Sequence, residues 1–331
     1  MSRLKGAYVL SPSALEEIYG PEERARIERC VETVVPPQTA ESVSARPEIL
    51  EDAEVIISGW GAPRFDGCLL AGARRLRAVF YGAGSVRGVV TPEFWDRGII
   101  ICSAWAANAI PVAEYAVSQI IFCLKKGWTH ARETRQARRF VRLRVPGAYG
   151  STVGIISLGM IGRRVCEWLR RMDVSVIACD PFVSPEEARN LGVEIAALDD
   201  VFRRSDVVSL HTPLLPETEG MIRGRHFEMM KQDASFINTA RGAVVNETEM
   251  IEVLARRPDL TAVLDVTFPE PPAPESPLYT LPNVILTPHI AGSMGNECRR
   301  MGRWMAEEVE RFAEGRPLKW RISREMAQRM A

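Results

Sequence analysis

Val153-Gly-Ile-Ile-Ser-Leu-Gly-Met-Ile-Gly162 is the stretch from which the rest of the chain is read. It leaves an apolar run, Thr152–Ser157, with the character of a buried strand. It then turns through glycine and continues as a helix over Ile161–Met172, with Ile161, Val165, Trp168, Leu169 and Met172 on one apolar stripe. A helix that starts just beyond a strand end aims its free N–H groups and the positive end of its dipole outward, which suits a phosphate anion. Gly159 lets the backbone come close to a pyrophosphate, and Gly162 lets the helix pack tightly on the strand. Gly159, Met160 and Ile161 are therefore the expected phosphate contacts. The first glycine of Gly-x-Gly-x-x-Gly is Ser157 here, a small cost as long as its φ stays negative. The next strand, Val174–Asp180, ends on an acid 18 residues beyond Gly162. A carboxylate there accepts hydrogen bonds from an adenosine ribose and repels a 2′-phosphate. No arginine follows in Asp180-Pro-Phe182, so the cofactor expected is NAD rather than NADP. The competing reading of Asp180 is a turn residue before Pro181.

Working outward, the strand series continues with Val207–His211, Ser235–Asn238, Ala262–Val266 and Val284–Thr287, which completes a doubly wound parallel sheet. Upstream, Ala7–Leu10, Val55–Ser58, Ala78–Tyr81 and Gly98–Cys102 form an earlier series of buried parallel strands. Between the two series lies a long apolar helix from Pro111 to about Lys126, with Pro111 in its first turn. A final helix, about Asn296 to Ala313, places Met301, Trp304, Met305, Val309 and Phe312 on one face. A length of 331 residues favours two domains over a single core.

Composition excludes several classes. Lysine plus arginine equals aspartate plus glutamate, 42 against 42, so no global charge draws nucleic acid or an anionic membrane. The basic stretch from Lys125 to Arg144 matches no nucleic-acid-binding module and reads as a solvated helix face or a subunit contact. The seven cysteines are scattered without a Cys-x-x-Cys pair, which argues for a reducing cytoplasm and against a metal site. The N-terminus shows no signal-peptide apolar run. The most apolar stretch, Ala109–Leu124, carries Glu114 and reads as a buried helix too short to span a bilayer.

There are four histidines. His130 and His226 fall in polar surroundings, with surface as the default. His211 and His289 each end a strand, at the carboxyl edge of the sheet where ligands bind, and pattern alone does not choose between them. Arg241 follows the strand Ser235–Asn238, and Glu270 follows Ala262–Val266. Arginine can clamp a carboxylate and polarise a neighbouring carbonyl oxygen. Histidine can exchange a proton as hydride moves, and a carboxylate beside it fixes its tautomer. The competing reading is an Arg241–Glu270 salt bridge with His289 capping a loop. Asn246, followed by Glu249, reads as a helix N-cap with an acid at the third position.

Taken together, Tyr81-Gly-Ala-Gly84, Asn108 with Val112-Ala-Glu114, the glycine loop, Ser209-Leu-His-Thr-Pro-Leu214, Asn238-Thr-Ala-Arg-Gly242, Leu264-Asp-Val266 with Glu270-Pro271, and Thr287-Pro-His-Ile-Ala-Gly292 resemble the D-isomer-specific 2-hydroxyacid dehydrogenases. The resemblance runs from about Val55 to Phe312. It implies a Rossmann-type NAD domain, 109–291, inserted into a flavodoxin-like substrate domain, 1–108, to which 292–331 returns, with a cleft that closes on substrate. It implies that Arg241 binds the substrate carboxylate and C2 oxygen, and that His289 is the acid/base paired to Glu270. Backbone near Ala83 and Gly84 would hold the carboxylate, with Asn108 nearby. Asp265 would meet the nicotinamide amide, and His211, Thr212, Pro213, Thr239, Ala240 and Gly292 would line the cofactor site. A homodimer is implied, with a small 2-hydroxy or 2-keto acid as substrate. Trp60, in Ser58-Gly-Trp-Gly-Ala-Pro63, reads either as a pocket wall or as a core tryptophan. Nothing resembles the regulatory C-terminal domain of many phosphoglycerate dehydrogenases, and the tail Lys319–Ala331 matches no pattern. A rival reading keeps the fold and NAD site in a corepressor-like regulatory protein. A second rival, an NADP reductase, is disfavoured by Asp180.

Overall fold

The computed structural model describes residues 3–330, and the chain divides into two units, 3–109 with 293–330, and 110–292. In the first unit, β1 (Leu4–Val9), β2 (Val31–Thr33), β3 (Val55–Ser58), β4 (Ala78–Tyr81) and β5 (Ile100–Ser103) form a parallel sheet. Its order runs β5-β4-β3-β1-β2, and side chains alternate between two cores. Ala7, Ile56 and Val79 face one core, with Phe65 and Phe94, while Tyr8, Ile57 and Phe80 face the other. The helix Asn296–Ala313 buries Met301, Met305 and Val309 in that second core.

Residues 319–330 of the tail are structured, and Ala331 lies outside the described residues. Arg321–Ile322, the last of thirteen strands among the described residues (β13), adds antiparallel to β5 at the sheet edge. Fully buried Glu308 holds it there by accepting the N–H groups of Lys319 and Trp320 at 3.2 and 3.0 Å, and Trp304 stacks on Trp320 at 4.5 Å.

In the second unit the strands are β6 (Ser151–Ile156), β7 (Val174–Cys179), β8 (Glu194–Ile195), β9 (Val207–Leu210), β10 (Ser235–Asn238), β11 (Thr261–Leu264) and β12 (Val284–Leu286). All are parallel, in the order β12-β11-β10-β9-β6-β7-β8. The chain steps outward from β6 through β7 to β8, then returns to the other side of β6 and runs β9 to β12. The switch point, where ligands bind in such sheets, is therefore the crevice beyond the carboxyl ends of β6 and β9.

The long helix spans Trp105–Leu124, so Pro111 is interior rather than in the first turn. Ser103 starts this helix by accepting the Trp105 N–H at 3.2 Å, and Pro111 leaves the Ala107 carbonyl without its usual donor. With 20 residues the helix is longer than the stretch read from sequence, and by length and composition alone it could cross a bilayer. Ala113, Ala116, Ile120 and Leu124 are instead buried in a protein core with Val153, Val165 and Leu169.

Candidate active site

The end of β10 is shaped by Asn238. Its Oδ1 accepts the Ala240 N–H at 3.0 Å, and its Nδ2 donates to the Arg241 carbonyl at 3.1 Å. A Cβ on Gly242 would lie 2.0 Å from the Thr267 carbonyl carbon, so only glycine lets this turn press against the chain leaving β11. That approach brings Arg241 into the field of Glu270. Burial pulls the Arg241 pKa below the ordinary arginine value, and the Glu270 carboxylate opposes the shift. Glu270 pairs with His289, its Oε1 standing 2.6 Å from Nδ1, and no Arg241–Glu270 ion pair occurs among the described residues. With Nδ1–H donated to the carboxylate, Nε2 is the ring nitrogen available for proton exchange.

His289 has φ +55°, in the left-handed region that non-glycine residues rarely occupy. Asp265 holds the loop in that shape. Its Oδ1 accepts the Thr287 hydroxyl at 2.5 Å and the Ile290 N–H at 2.9 Å, its Oδ2 accepts the Ala291 N–H at 2.8 Å, and its carbonyl accepts the His289 N–H at 3.0 Å. The Asp265 residue is 1% exposed, so this carboxylate, expected near the nicotinamide amide, braces the histidine loop in the structure. Since Thr287 donates to Asp265, the Tyr115 hydroxyl at 3.0 Å donates to Thr287.

At the glycine loop, a Cβ on Gly162 would stand 2.1 Å from the Ser157 carbonyl oxygen, so the close approach needs glycine. Ser157 departs from expectation, with φ +76°. The loop keeps the left-handed turn that a glycine would take there, and for a non-glycine residue this costs about 1–2 kcal/mol. Its Oγ lies 2.9 Å from the Thr212 Oγ1. Asp180 serves the turn and the loop together, accepting the Phe182 N–H at 2.8 Å and the Leu158 N–H at 2.7 Å.

These residues fit a dinucleotide. Gly159 has open space where a side chain would stand, and no side chain caps the helix Met160–Leu169 behind it. Nearby, the buried His211 Nδ1 and Thr239 Oγ1 lack hydrogen-bond partners, while His211 Nε2 lies 3.0 Å from the Ser209 hydroxyl. Burial depresses the His211 pKa to about 4. Pro213, Ala240 and Gly292 follow β9, β10 and β12 along this same carboxyl edge.

In the first unit, Trp60 is 36% exposed, which excludes a core tryptophan. Ala83 is buried and Gly84 half-buried, and the Ser103 hydroxyl lies 2.9 and 2.5 Å from their carbonyls, leaving the N–H groups of the loop uncommitted to it. Asn108 Oδ1 accepts the Ser293 N–H at 2.8 Å, and its Nδ2 borders Gly84. Sequence reasoning missed Ser103 and also Glu247, whose Oε2 accepts the Phe268 N–H at 2.9 Å and ties down the Glu270 turn. Only the strand-end and helix-start positions of these two hinted at such roles. His226 is fully buried, contrary to expectation, because its Nδ1 takes the Arg223 N–H at 2.8 Å and its ring packs on Phe202. His130 is half-buried, with Nε2 accepting the Leu143 N–H at 3.0 Å. Asn246 caps its helix as expected, accepting the Glu249 N–H at 3.2 Å.

Residues 117–291 match the family profile described as D-isomer specific 2-hydroxyacid dehydrogenase, NAD binding domain. The chain belongs to the D-isomer specific 2-hydroxyacid dehydrogenase family. Its second unit is the NAD binding domain of that family, with the Rossmann strand order, and its first is the flavodoxin-like partner domain. Among relatives, D-3-phosphoglycerate dehydrogenase of Archaeoglobus fulgidus is 31% identical over 260 residues, 77% of this chain and 49% of that protein. The Bacillus subtilis D-3-phosphoglycerate dehydrogenase is 31% identical over 245 residues, 73% of this chain and 46% of that protein. The chain spans about half the length of the curated relatives it matches. Among solved structures, the TT0316 protein of Thermus thermophilus matches with a TM-score of 0.75 and 27% identity, over 97% of this chain and all of that one. The NAD-complexed D-isomer specific 2-hydroxyacid dehydrogenase of Lactobacillus delbrueckii ssp. bulgaricus shares the fold, with a TM-score of 0.78 at 24% identity over 96% of this chain and all of that one.

Proposed function

We infer that this family member is an NAD-dependent oxidoreductase acting at C2 of a small D-2-hydroxy acid or its 2-keto acid. The observation that carries the reading is the Glu270–His289 contact of 2.6 Å, with the half-buried Arg241 guanidinium in the field of Glu270. When bound, NAD supplies or accepts the hydride. Arg241 clamps the substrate carboxylate and polarises the C2 oxygen, since its planar fork matches a carboxylate and its charge is kept on burial. His289 Nε2 gives the proton to that oxygen in reduction and takes it in oxidation. Glu270 holds the ring in the tautomer that leaves Nε2 free for this exchange and stabilises the imidazolium. Asp265, with Thr287 and Tyr115, keeps the loop rigid, so the imidazole needs no reordering before reaction.

We assign the second unit to the cofactor, held by Gly159, Met160, Ile161, Asp180, His211, Thr212, Pro213, Thr239, Ala240, Asp265 and Gly292. Asp180 sets NAD over NADP. We assign Ala83, Gly84, Asn108 and Trp60, on the first unit, to the substrate. The protein acts as a homodimer in the cytoplasm. Phe140 within the basic stretch and Tyr149 just after it, 93% and 87% exposed, support a subunit contact there, and the free cysteines suit a reducing compartment. The intact trio favours an enzyme over a corepressor-like role.

The test is NADH oxidation with glyoxylate, hydroxypyruvate, pyruvate, phenylpyruvate and 3-phosphohydroxypyruvate, the last being the keto acid of 3-phosphoglycerate. At least one should turn over, and His289→Ala should cut that turnover by about 100- to 10,000-fold while NADH binding stays nearly intact. An inactive wild type that still binds NADH would favour the regulatory reading. Unchanged turnover in the variant would remove His289 from the chemistry.

A further inference from the structure

Three segments leave the carboxyl edge of the first unit's sheet side by side. The Gly82 N–H donates to the Ser58 carbonyl at 2.8 Å and the Ala104 N–H to the Tyr81 carbonyl at 3.0 Å, so the chain after β3, β4 and β5 starts level. The segments read Gly59-Trp-Gly-Ala-Pro63, Gly82-Ala-Gly-Ser-Val86 and Ala104-Trp-Ala-Ala-Asn108. Aspartate, glutamate, lysine and arginine make up 25% of the chain, yet none of them falls in these stretches, and no histidine does. The next cations along the first two are Arg64 and Arg87. Arg64 lies in the field of Glu93, and Arg87 has a partner of its own. A phosphate or a second carboxylate brought to this edge would leave water with no cation in these stretches to meet it.

The first segment is built around a tryptophan. The Ala62 N–H donates to the Gly59 carbonyl at 3.1 Å and Gly61 has φ +78°, which makes a type II turn with Trp60 at its first corner. The Trp60 carbonyl accepts the Ser11 N–H at 2.9 Å, and a Cβ on Gly61 would stand 2.8 Å from that nitrogen. The backbone is thus fixed around Trp60, while the residue stays 36% exposed and no hydrogen bond or aromatic stack holds its ring among the described residues. A rigid, uncovered indole on an uncharged edge gains most from an apolar group laid against it. We propose that the preferred acid carries an uncharged, bulky side chain, aromatic or branched aliphatic, which packs on Trp60. The proposal rests on the oxidoreductase reading above and makes phosphorylated acids poor substrates.

The experiment ranks glyoxylate, pyruvate, 4-methyl-2-oxopentanoate, phenylpyruvate and 3-phosphohydroxypyruvate by kcat/KM in NADH oxidation, on the full chain. The two bulky apolar acids should exceed pyruvate by about 100-fold, within the range open to added apolar groups in a fitted pocket, and 3-phosphohydroxypyruvate should fall below both. Trp60→Ala should cut the phenylpyruvate-to-pyruvate ratio by about 10-fold or more, and Trp60→Phe, which restores an aromatic face, should recover most of it. Both acids are read on one preparation, so a partly misfolded variant leaves the ratio unmoved. A wild type that prefers 3-phosphohydroxypyruvate, glyoxylate or pyruvate would overturn the proposal, as would a ratio that Trp60→Ala leaves within about twofold of wild type. A wild type that binds NADH and reduces none of these acids would instead remove the oxidoreductase reading itself.

Discussion

Acidification should destabilise this protein through His211. The ring is buried, its Nδ1 has no partner, and protonation would place a charge there with nothing to balance it. Burial sets the folded pKa at about 4, against an ordinary value of 6.5. Each pH unit of that gap is worth about 1.4 kcal/mol, so the full contribution is about 3 kcal/mol. The sign follows from which state binds the proton first. The unfolded chain takes it up as pH falls below 6.5, while the folded chain holds out to about 4. The contribution is therefore complete above pH 6.5 and is lost as pH drops toward 4, with about 2 kcal/mol gone between pH 7 and pH 5. Urea unfolding at pH 7, 6 and 5 measures it, with His211→Gln as the comparison. The amide cannot titrate, so its unfolding free energy should fall by about 2 kcal/mol less over that range. His226, which burial also holds low, titrates in both proteins and cancels. Parallel pH dependence in wild type and variant would refute the reasoning.

Three further outcomes are expected. Arg241→Lys keeps the charge but loses the planar fork, so kcat/KM for the keto acid should fall about 100-fold or more, with NADH binding unchanged in titration. Gly162→Ala puts a methyl group 2.1 Å from the Ser157 carbonyl oxygen, and should cost about 1–3 kcal/mol in denaturant unfolding and weaken NADH binding. Trp60→Ala should change the ranking of keto acids by kcat/KM, whereas equal losses across the panel would take Trp60 out of the pocket.

Much of this was legible in the sequence, for identifiable reasons. The strands Val55–Ser58, Ala78–Tyr81 and Ser235–Asn238 coincide with their apolar runs because each is buried along its whole length and polar or glycine residues close it. Arg241, Glu270, His211 and His289 were legible together because parallel strands deliver their following residues to one edge, while the preference for His289 over His211 came from the resemblance. What the sequence did not disclose depends on contacts distant in the chain. His226 is hydrophilic by type, yet it is buried because Phe202 and the Arg223 N–H accommodate it. The long helix starts at Trp105, six residues ahead of the Pro111 start that the pattern suggested, because the Ser103 hydroxyl accepts the Trp105 N–H. Ser157 gives no sign of its left-handed φ, which the hydrogen bonds around it impose. The tail has no periodicity to read because a single buried carboxylate, Glu308, and a sheet edge hold it.

Asp180 carries a consequence for anyone who would convert this protein to the phosphorylated cofactor. The obvious substitution, removing the carboxylate that we assign to the ribose, also releases the Leu158 N–H and so loosens the glycine-loop turn. Selectivity and scaffold share one side chain. A redesign that swaps in alanine should lose affinity for both cofactors, and asparagine, with one acceptor oxygen to share between the Leu158 and Phe182 N–H groups, keeps only one of the two ties while lifting the negative charge. Preference at this position is therefore best altered by retaining the acceptor and adding a cation elsewhere on the rim, in two separate moves.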